Sequence, residues 1–194
     1  MKRNQIMMLG LVSAMLCFQT ACYLPEDFDA SINVKKDGSY TFNYNGRLVF
    51  ALALASMKEG KFTKADEKQL KEQEKELRQS PEIKKAKYIG NARFDVVAAK
   101  AGGAGEDYYF LSKEVAIFSF KNRDDGVLQI ESFKLADKDA SQIQALDVNV
   151  GGTLSIAVDR GLKVLDHNAD KVSAGLYQWR IKNPAEAPKL VVQL

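Results

Sequence analysis

The chain has 194 residues, with 28 basic and 25 acidic side chains, and 46% of its residues are hydrophobic. A chain of this length suits a single domain with a sizeable buried core. The near balance of charge does not favour a nucleic-acid partner, because phosphate binding needs a concentrated basic face. Cys17 and Cys22 are the only cysteines, and both lie close to the start of the chain. We therefore expect stability to come from packing and not from internal disulfide bonds.

Residues 1–21 have the layout of a secretory signal peptide. Lys2 and Arg3 precede an apolar run over residues 6–18, and small or polar residues follow up to Ala21. The apolar run is shorter than the roughly 20 residues that a helix needs to cross a bilayer. Loss of residues 1–21 would remove two basic residues and no acidic ones, leaving 26 basic and 25 acidic residues.

Cys22 directly follows Ala21, and this junction resembles the lipoprotein signals of bacteria. In those signals the cysteine receives diacylglycerol and becomes the mature N-terminus after cleavage. Gln19 departs from the pattern, which usually has an aliphatic residue at that position. Plain cleavage near Ala21 with a free cysteine is the alternative. We expect a lipidated Cys22 and a short tether over residues 22–27.

Lipidation would make the protein an exported, membrane-anchored component of the bacterial cell envelope. In Gram-negative cells, aspartate directly after the lipidated cysteine tends to retain a lipoprotein at the inner membrane. Tyr23 occupies that position here, so we expect the periplasmic face of the outer membrane in such a cell. In a cell without an outer membrane, we expect the outer face of the plasma membrane.

Residues 28–50 predict two strands joined by a tight turn. Apolar and polar residues alternate over 28–34, as in a strand with one buried face, and Asp37-Gly38 is typical of a hairpin turn. Asn45-Gly46 interrupts the return strand, either as a bend within one long strand, which we favour, or as a second turn. The large apolar residues of the return strand all fall at even positions: Tyr40, Phe42, Tyr44, Leu48 and Phe50.

A charged helix is predicted over residues 64–79. Thr63 is a natural N-cap, and Asp66 lies three residues later, as in a capping box. Opposite charges recur at i,i+4 spacing, while Leu70 and Leu77 form a narrow apolar stripe. We interpret this helix as a largely solvated face lying on the domain. On that interpretation, reversing its charges would leave the domain folded.

Strand patterns continue along the rest of the chain. Alternation resumes over residues 88–98, and a turn at residues 123–126 joins an aromatic strand near Phe118 to the strand that follows. Further strands are expected over residues 148–158, 177–181 and 189–194.

These patterns together predict the α+β class. We expect a curved, mainly antiparallel sheet of about 7–8 strands, with one inserted charged helix. Residues 28–194 are expected to form a single domain, since no linker or internal repeat divides them.

The sequence contains no motif that identifies a reaction. His167 is the single histidine and is interpreted as a turn residue; with no other histidine and no free cysteine, a zinc site lacks its usual three or four ligands. Neither Gly-x-Ser-x-Gly nor Ser-x-x-Lys is present, so the common serine-nucleophile motifs are missing. We therefore predict no catalytic residue, no metal and no cofactor. Two carboxylates that meet only in the folded chain are the remaining enzymatic alternative.

Two stretches carry a family resemblance. One is the hairpin over residues 33–40, shortly after Cys22. In the other, residues 163–169 contain a turn with an asparagine, followed by a strand with Tyr177-x-Trp179-x-Ile181. With this arrangement the chain resembles the LppM-type lipoprotein domains of bacteria, from which the charged helix departs. The resemblance implies an α+β domain with a concave sheet covered by a helix, able to hold something apolar. It implies no particular functional residues.

We expect a non-catalytic binding role in the envelope, for an apolar ligand such as a lipid or for a protein partner. The alternatives are a structural or assembly component of an envelope complex and an enzyme with a dispersed carboxylate site. A ligand cavity of several hundred Å3 would need an aromatic wall, although the same residues suit an ordinary core. The candidate wall residues are Tyr40, Phe42, Tyr44, Phe50, Phe94, Phe118, Phe120 and Trp179.

Overall fold

The computed structural model describes residues 23–113, 116–134, 141, 143–183 and 185–194. Within these residues the chain forms two β-sheets and two helices, so the predicted α+β class is confirmed. The predicted signal peptide and Cys22 lie outside the described residues.

The strands and helices have the following bounds. The strands are β1 (Tyr23–Val34), β2 (Tyr40–Phe50), β3 (Ile83–Gly90), β4 (Arg93–Gly102), β5 (Tyr108–Tyr109), β6 (Phe118–Arg123), β7 (Val127–Ser132), β8 (Gly152–Val158), β9 (Lys163–His167), β10 (Lys171–Ser173), β11 (Leu176–Ile181) and β12 (Lys189–Gln193). The helices are α1 (Ala51–Lys58) and α2 (Lys64–Leu77), and both lie between β2 and β3 in the chain.

The strands are divided between a seven-stranded and a five-stranded sheet. The larger sheet has the order β10-β11-β8-β1-β2-β4-β3, and the smaller has the order β5-β6-β7-β12-β9. β1 and β8 pair in parallel, whereas β1 and β2 pair antiparallel. We expected one sheet with fewer strands. β5, β9 and β10 have only two to five residues, which is too short for a clear alternation, and no local pattern marks where a second sheet begins.

The first hairpin forms as predicted. Gly38 makes the turn with a φ of 81°, and the Asp37 carboxylate accepts a hydrogen bond from the Ser39 N–H at 2.9 Å. β2 continues through Gly46 as a single strand, so the alternative of a second turn is wrong. The irregularity lies on the partner strand, where the register of β1 shifts between Glu26 and Asp29.

Gly46 is required where this irregularity packs. A Cβ atom on Gly46 would lie 2.6 Å from the Cα atom of Phe28, which is closer than two carbon atoms can approach. Asp27 at the irregularity has a φ of 46°, a left-handed conformation that is uncommon for residues other than glycine. The two features together let the start of β1 stay paired with the end of β2.

β1 begins at Tyr23, five residues earlier than the sequence pattern indicated. Tyr23 pairs with Phe50 and Leu24 with Val49 at the far end of the hairpin. The expected tether is therefore wrong for residues 23–27, which belong to the sheet. Pro25 and the acidic residues beside it suggested a linker, but their strand pairing depends on β2 and is not visible locally.

Both helices follow from local sequence signals. The capping box at the start of α2 is confirmed: the Asp66 N–H donates to the Thr63 hydroxyl at 3.3 Å, and the Thr63 N–H donates to the Asp66 carboxylate at 2.7 Å. α1 begins directly after β2, within a continuous apolar run over residues 48–55.

The prediction missed the hairpin between β3 and β4. Alternation over residues 88–98 was read as one strand, but the chain reverses at Gly90, Asn91 and Ala92, which all have positive φ. Gly90 pairs with Arg93, so Asn91 and Ala92 form a two-residue hairpin loop, in which both central residues need positive φ. β3 itself is rich in lysine and forms an edge of the larger sheet.

The core lies where the two sheets face each other. Phe28 of β1 contacts Phe118 of β6 with ring centroids 5.9 Å apart, and Tyr40 of β2 stacks on Phe120 at 4.6 Å. Alternate residues of β1 and β2 are fully buried, in agreement with the predicted period of two.

Candidate functional site

The predicted aromatic wall is a set of core residues. Seven of its eight members are at most 5% exposed, and Phe50 is half-buried. The seven are Tyr40, Phe42, Tyr44, Phe94, Phe118, Phe120 and Trp179.

The largest group of these residues joins β2 to β6. Phe42 contacts Phe118 with ring centroids 5.8 Å apart, and Phe110 contacts both Phe42 at 5.1 Å and Tyr44 at 4.9 Å. All three are tilted ring contacts, as is common in packed aromatic cores. The side chains therefore fill the space in which an apolar ligand was expected.

The other predicted wall residues lie apart from this group. Phe94 and Phe50 both contact Tyr23, with ring centroids 5.8 and 5.5 Å apart, at the start of β1. Trp179 of β11 donates its indole N–H to the Asn168 side-chain oxygen at 2.9 Å. The structure thus distributes the eight residues over three places. Ligand binding by them stays a prediction and would require the core to rearrange.

A small crevice lies between the sheets. Leu24, Phe28, Ile117, Phe118 and Ile181 contribute to its lining, and its volume is about 30 Å3. That volume suits a single water molecule. Phe118 is the one predicted wall residue in its lining.

Sequence analysis did not single out several residues of the aromatic core. Phe28 and Phe110 are at most 5% exposed and connect the predicted residues to one another. Phe28 entered the sequence analysis only as part of the alternation over residues 28–34, and Phe110 lies in a short apolar run over residues 108–111. Their contacts across the two sheets depend on tertiary structure.

A second candidate site is the start of β1, because Cys22 precedes it directly in the sequence. The Tyr23 hydroxyl donates to the Gln73 side-chain oxygen of α2 at 3.2 Å. Burial, assisted by the negative charge of Glu76, raises the pKa of Tyr23 well above its usual value. Tyr23 is therefore held by β2, β4 and α2 at once, and the residue after Cys22 is an integral part of the domain.

The charges near this site form a compact network. Glu26 is 3% exposed, and its carboxylate accepts two hydrogen bonds from Arg93, at 2.8 and 3.1 Å. The bonds to Glu26 raise the pKa of the Arg93 guanidinium. Arg47 lies 3.6 Å from Glu26 and 3.1 Å from Asp27. Both oxygens of this buried carboxylate therefore accept hydrogen bonds from Arg93.

An open groove runs along the outer side of the same strands. It has a volume of about 550 Å3, and Asp27, Arg47, Lys85 and Asp95 contribute both signs of charge to its lining. Arg47 is engaged by the acidic residues on either side. The groove is polar and mixed in charge, which does not suit an apolar ligand.

His167 is the last residue of strand β9, so its interpretation as a turn residue is wrong. Its Nδ1 atom accepts a hydrogen bond from the Ala169 N–H at 3.2 Å, and its ring contacts Tyr177. In the part of the chain that the structure describes, no three His, Cys, Asp or Glu side chains are grouped so as to hold a metal ion. None of the described helices is both long and apolar enough to cross a membrane.

Comparison with known proteins adds little to this geometry. No protein-family model matches the chain, and no curated protein matches it. Among solved structures, the chain is similar to the NMR structure of the folded domain of LppM from Mycobacterium tuberculosis, with 13% identity, 92% of each chain covered and a TM-score of 0.38. At this TM-score we base no argument on the similarity, and the family resemblance stated from the sequence stays a prediction.

Proposed function

We propose that this protein is an exported lipoprotein of the bacterial cell envelope, held at a membrane by acyl chains on Cys22, with a non-catalytic binding role. The observation that carries the proposal is the position of Cys22. It ends a signal-like segment and directly precedes Tyr23, the first residue of β1. A cleavage at Ala21 would therefore release a chain whose folded part starts one residue after the lipidated end.

The packing of the domain favours binding at its surface. Seven of the eight aromatic side chains expected to line a ligand cavity are buried in the core, and the crevice between the sheets has a volume of only about 30 Å3. A drug-sized ligand needs roughly 300 Å3 or more. Of the two binding roles expected from the sequence, the geometry therefore supports a protein partner better than an enclosed apolar ligand.

Intact mass of protein extracted from the membranes of expressing cells tests the anchor. We expect a chain that starts at Cys22 and carries the added mass of acyl groups. Cys22→Ser should move the protein to the soluble fraction, because each buried CH2 of an acyl chain contributes about 0.8 kcal/mol to membrane binding. Cys17→Ser is the matched control, since Cys17 lies inside the segment to be removed, and it should remain membrane-bound. An unmodified mass would overturn the proposal.

Fractionation and dye binding test the remaining parts. In a Gram-negative host the protein should sediment with outer-membrane fractions, because Tyr23 and not aspartate follows Cys22. An apolar fluorescent probe such as anilinonaphthalene sulfonate should show no stoichiometric enhancement with the folded protein. Saturable one-to-one enhancement would instead favour an enclosed apolar ligand.

A further inference from the structure

We propose that the end of the domain next to Cys22 is a bilayer-contact surface, in which Leu52 and Ile89 enter the membrane interface. This inference rests on the proposed lipidation of Cys22 and adds a fixed orientation of the domain. We call Leu52 and Ile89 the anchor-end pair.

Strand pairing brings the anchor-end pair to the same end of the larger sheet as Tyr23. Tyr23 pairs with Phe50 at the end of β2, and Leu52 follows two residues later in the first turn of α1. The Phe50 N–H donates to the Ala92 carbonyl oxygen at 2.8 Å, which joins this corner to the β3–β4 turn. Ile89 is the second-last residue of β3, two residues before that turn. Because the strands are ordered β1-β2-β4-β3, the corner spans roughly 15 Å.

Both members of the pair are large, apolar and open to solvent. Leu52 is 52% exposed and Ile89 is 43% exposed. Single exposed apolar residues are common on protein surfaces and by themselves indicate nothing. What distinguishes this pair is its position beside the point where the chain continues to Cys22.

The membrane is the occupant that this position favours. Only one peptide bond separates Tyr23 from Cys22, and consecutive Cα atoms are about 3.8 Å apart. Tyr23 is fixed by its contacts with Phe50 and Phe94 and cannot act as a hinge. Acyl chains on Cys22 would therefore draw this corner to the bilayer, where apolar side chains of amphipathic segments are buried to about 5–10 Å.

A defined orientation of the domain follows. With the start of β1 at the membrane, the turn between β1 and β2 lies at the distal end of a strand of 12 residues, roughly 40 Å away. A partner of the protein would meet that distal part, while the anchor-end pair stays hidden in the interface.

Site-specific fluorescence tests this orientation on the lipidated full chain. Leu52→Cys and Ile89→Cys are each made with Cys17→Ser, purified from membranes, labelled with nitrobenzoxadiazole and reconstituted into phosphatidylethanolamine–phosphatidylglycerol vesicles that contain nitroxide-labelled lipid. Val172→Cys is the matched control. It is 47% exposed and, through its pairing with Tyr177 and Ile156, lies level with Ile32, roughly 30 Å from Tyr23 along the strands.

We expect loss of label emission at both anchor-end positions and unchanged emission at Val172→Cys. Unquenched labels at Leu52→Cys and Ile89→Cys in protein whose mass confirms acylation would overturn the orientation and leave the lipoprotein proposal standing. Equal quenching at all three positions would also overturn it, because the domain would then lie flat on the bilayer. An unacylated mass would overturn both proposals.

Discussion

Arg93 holds the buried carboxylate of Glu26 by two hydrogen bonds, from Nε to Oε2 at 2.8 Å and from Nη2 to Oε1 at 3.1 Å. The two residues lie on β4 and β1, which are separated in the sheet by β2, so the ion pair crosses an intervening strand. The Asn149 N–H also approaches Glu26, at 3.4 Å. The pair therefore ties the segment before β8 and the irregularity in β1 to the centre of the larger sheet.

Removing Arg93 should strongly destabilise the domain. Arg93→Met leaves the Glu26 carboxylate buried without its main partner, and breaking such pairs costs about 3–5 kcal/mol. Because the Arg93 side chain is 20% exposed, we expect a loss near 3 kcal/mol, measured by chemical denaturation. Arg47→Met is the control. Arg47 is 43% exposed and lies farther from Glu26, so its loss should stay below about 1 kcal/mol. Equal effects of the two variants would contradict this assignment.

Two charged residues of α2, Glu74 and Arg78, form hydrogen bonds with β3. The interpretation of α2 as a largely solvated face is therefore wrong for these two residues. The Glu74 carboxylate accepts the Tyr88 N–H of β3 at 2.7 Å, and Arg78 donates to the Ala86 carbonyl oxygen at 2.8 Å. Glu74 and Arg78 also pair with each other at 2.7 Å. The two side chains thus form hydrogen bonds with backbone groups of β3 that would otherwise be exposed at the edge of the larger sheet.

Removing the charges of Glu74 and Arg78 should therefore weaken the attachment of α2 to β3 and lower the stability of the domain. Glu74→Ala should cost about 2 kcal/mol, the usual value for a hydrogen bond to a charged group. Lys71→Ala, which removes a 3.8 Å contact of an exposed side chain, should cost less than about 0.5 kcal/mol. Size-exclusion chromatography of Glu74→Ala combined with Arg78→Ala should show concentration-dependent association, because the freed edge can pair with another strand. A stable, monomeric double variant would restore the solvated-face interpretation.

Asn168 should be a stability determinant of the C-terminal region. Its side-chain oxygen accepts the Trp179 indole N–H at 2.9 Å and the Lys189 N–H at 2.8 Å, which links β11 of one sheet to β12 of the other. Asn168→Ala leaves the buried indole N–H unpaired and should cost about 2–3 kcal/mol in denaturant unfolding followed by Trp179 fluorescence. Asn168→Asp keeps both accepted bonds and loses only the donor to Ala187, so it should cost less. A larger loss for Asn168→Asp would contradict this view.

Alkaline pH should weaken the domain through its buried tyrosines, of which Tyr88 is the most accessible to test. Burial first, and the hydrogen bond to Glu67 second, raise the pKa of Tyr88 to about 12. The unfolded chain ionises near the ordinary pKa of about 10, so the contribution of Tyr88 is complete below pH 10 and is lost as pH rises towards 12. Burial also raises the pKa of Tyr44 and Tyr108, which adds to the loss.

The Tyr88 contribution can be isolated by substitution. Tyr88→Phe should lower stability at pH 8 by about 1.5 kcal/mol, because the hydrogen bond to Glu67 is lost. It should also reduce the fall in thermal midpoint between pH 9 and pH 11, a range that brackets the unfolded pKa of about 10. Glu67→Gln keeps an acceptor but removes the negative charge, so the pKa of Tyr88 should fall and the pH dependence should weaken in the same direction. An unchanged pH dependence in both variants would contradict the role of Tyr88.

The sequence by itself determined the features that depend on neighbouring residues. The Asp37-Gly38 turn and the Thr63–Asp66 capping box are closed by hydrogen bonds within a few residues, so residue type and spacing suffice to predict them. The period of two along β2 likewise identified Tyr40, Phe42 and Tyr44 as buried. The signal peptide over residues 1–21 is also inferred from local sequence alone, and it stays a prediction.

The tertiary structure decided how these pieces meet. The parallel pairing of β1 with β8 joins residues such as Ile32 and Ile156 that are far apart in the chain, and no local pattern encodes that choice. The division into two sheets turned an expected cavity wall into a packed aromatic core. It also converted residues 23–27 from a tether into a paired strand, and Glu74 from a solvated charge into a partner of β3. In each case the arrangement is stabilised by burial and hydrogen bonds between segments that are distant in the sequence. Those contacts form only when the chain folds, so local sequence patterns do not reveal them.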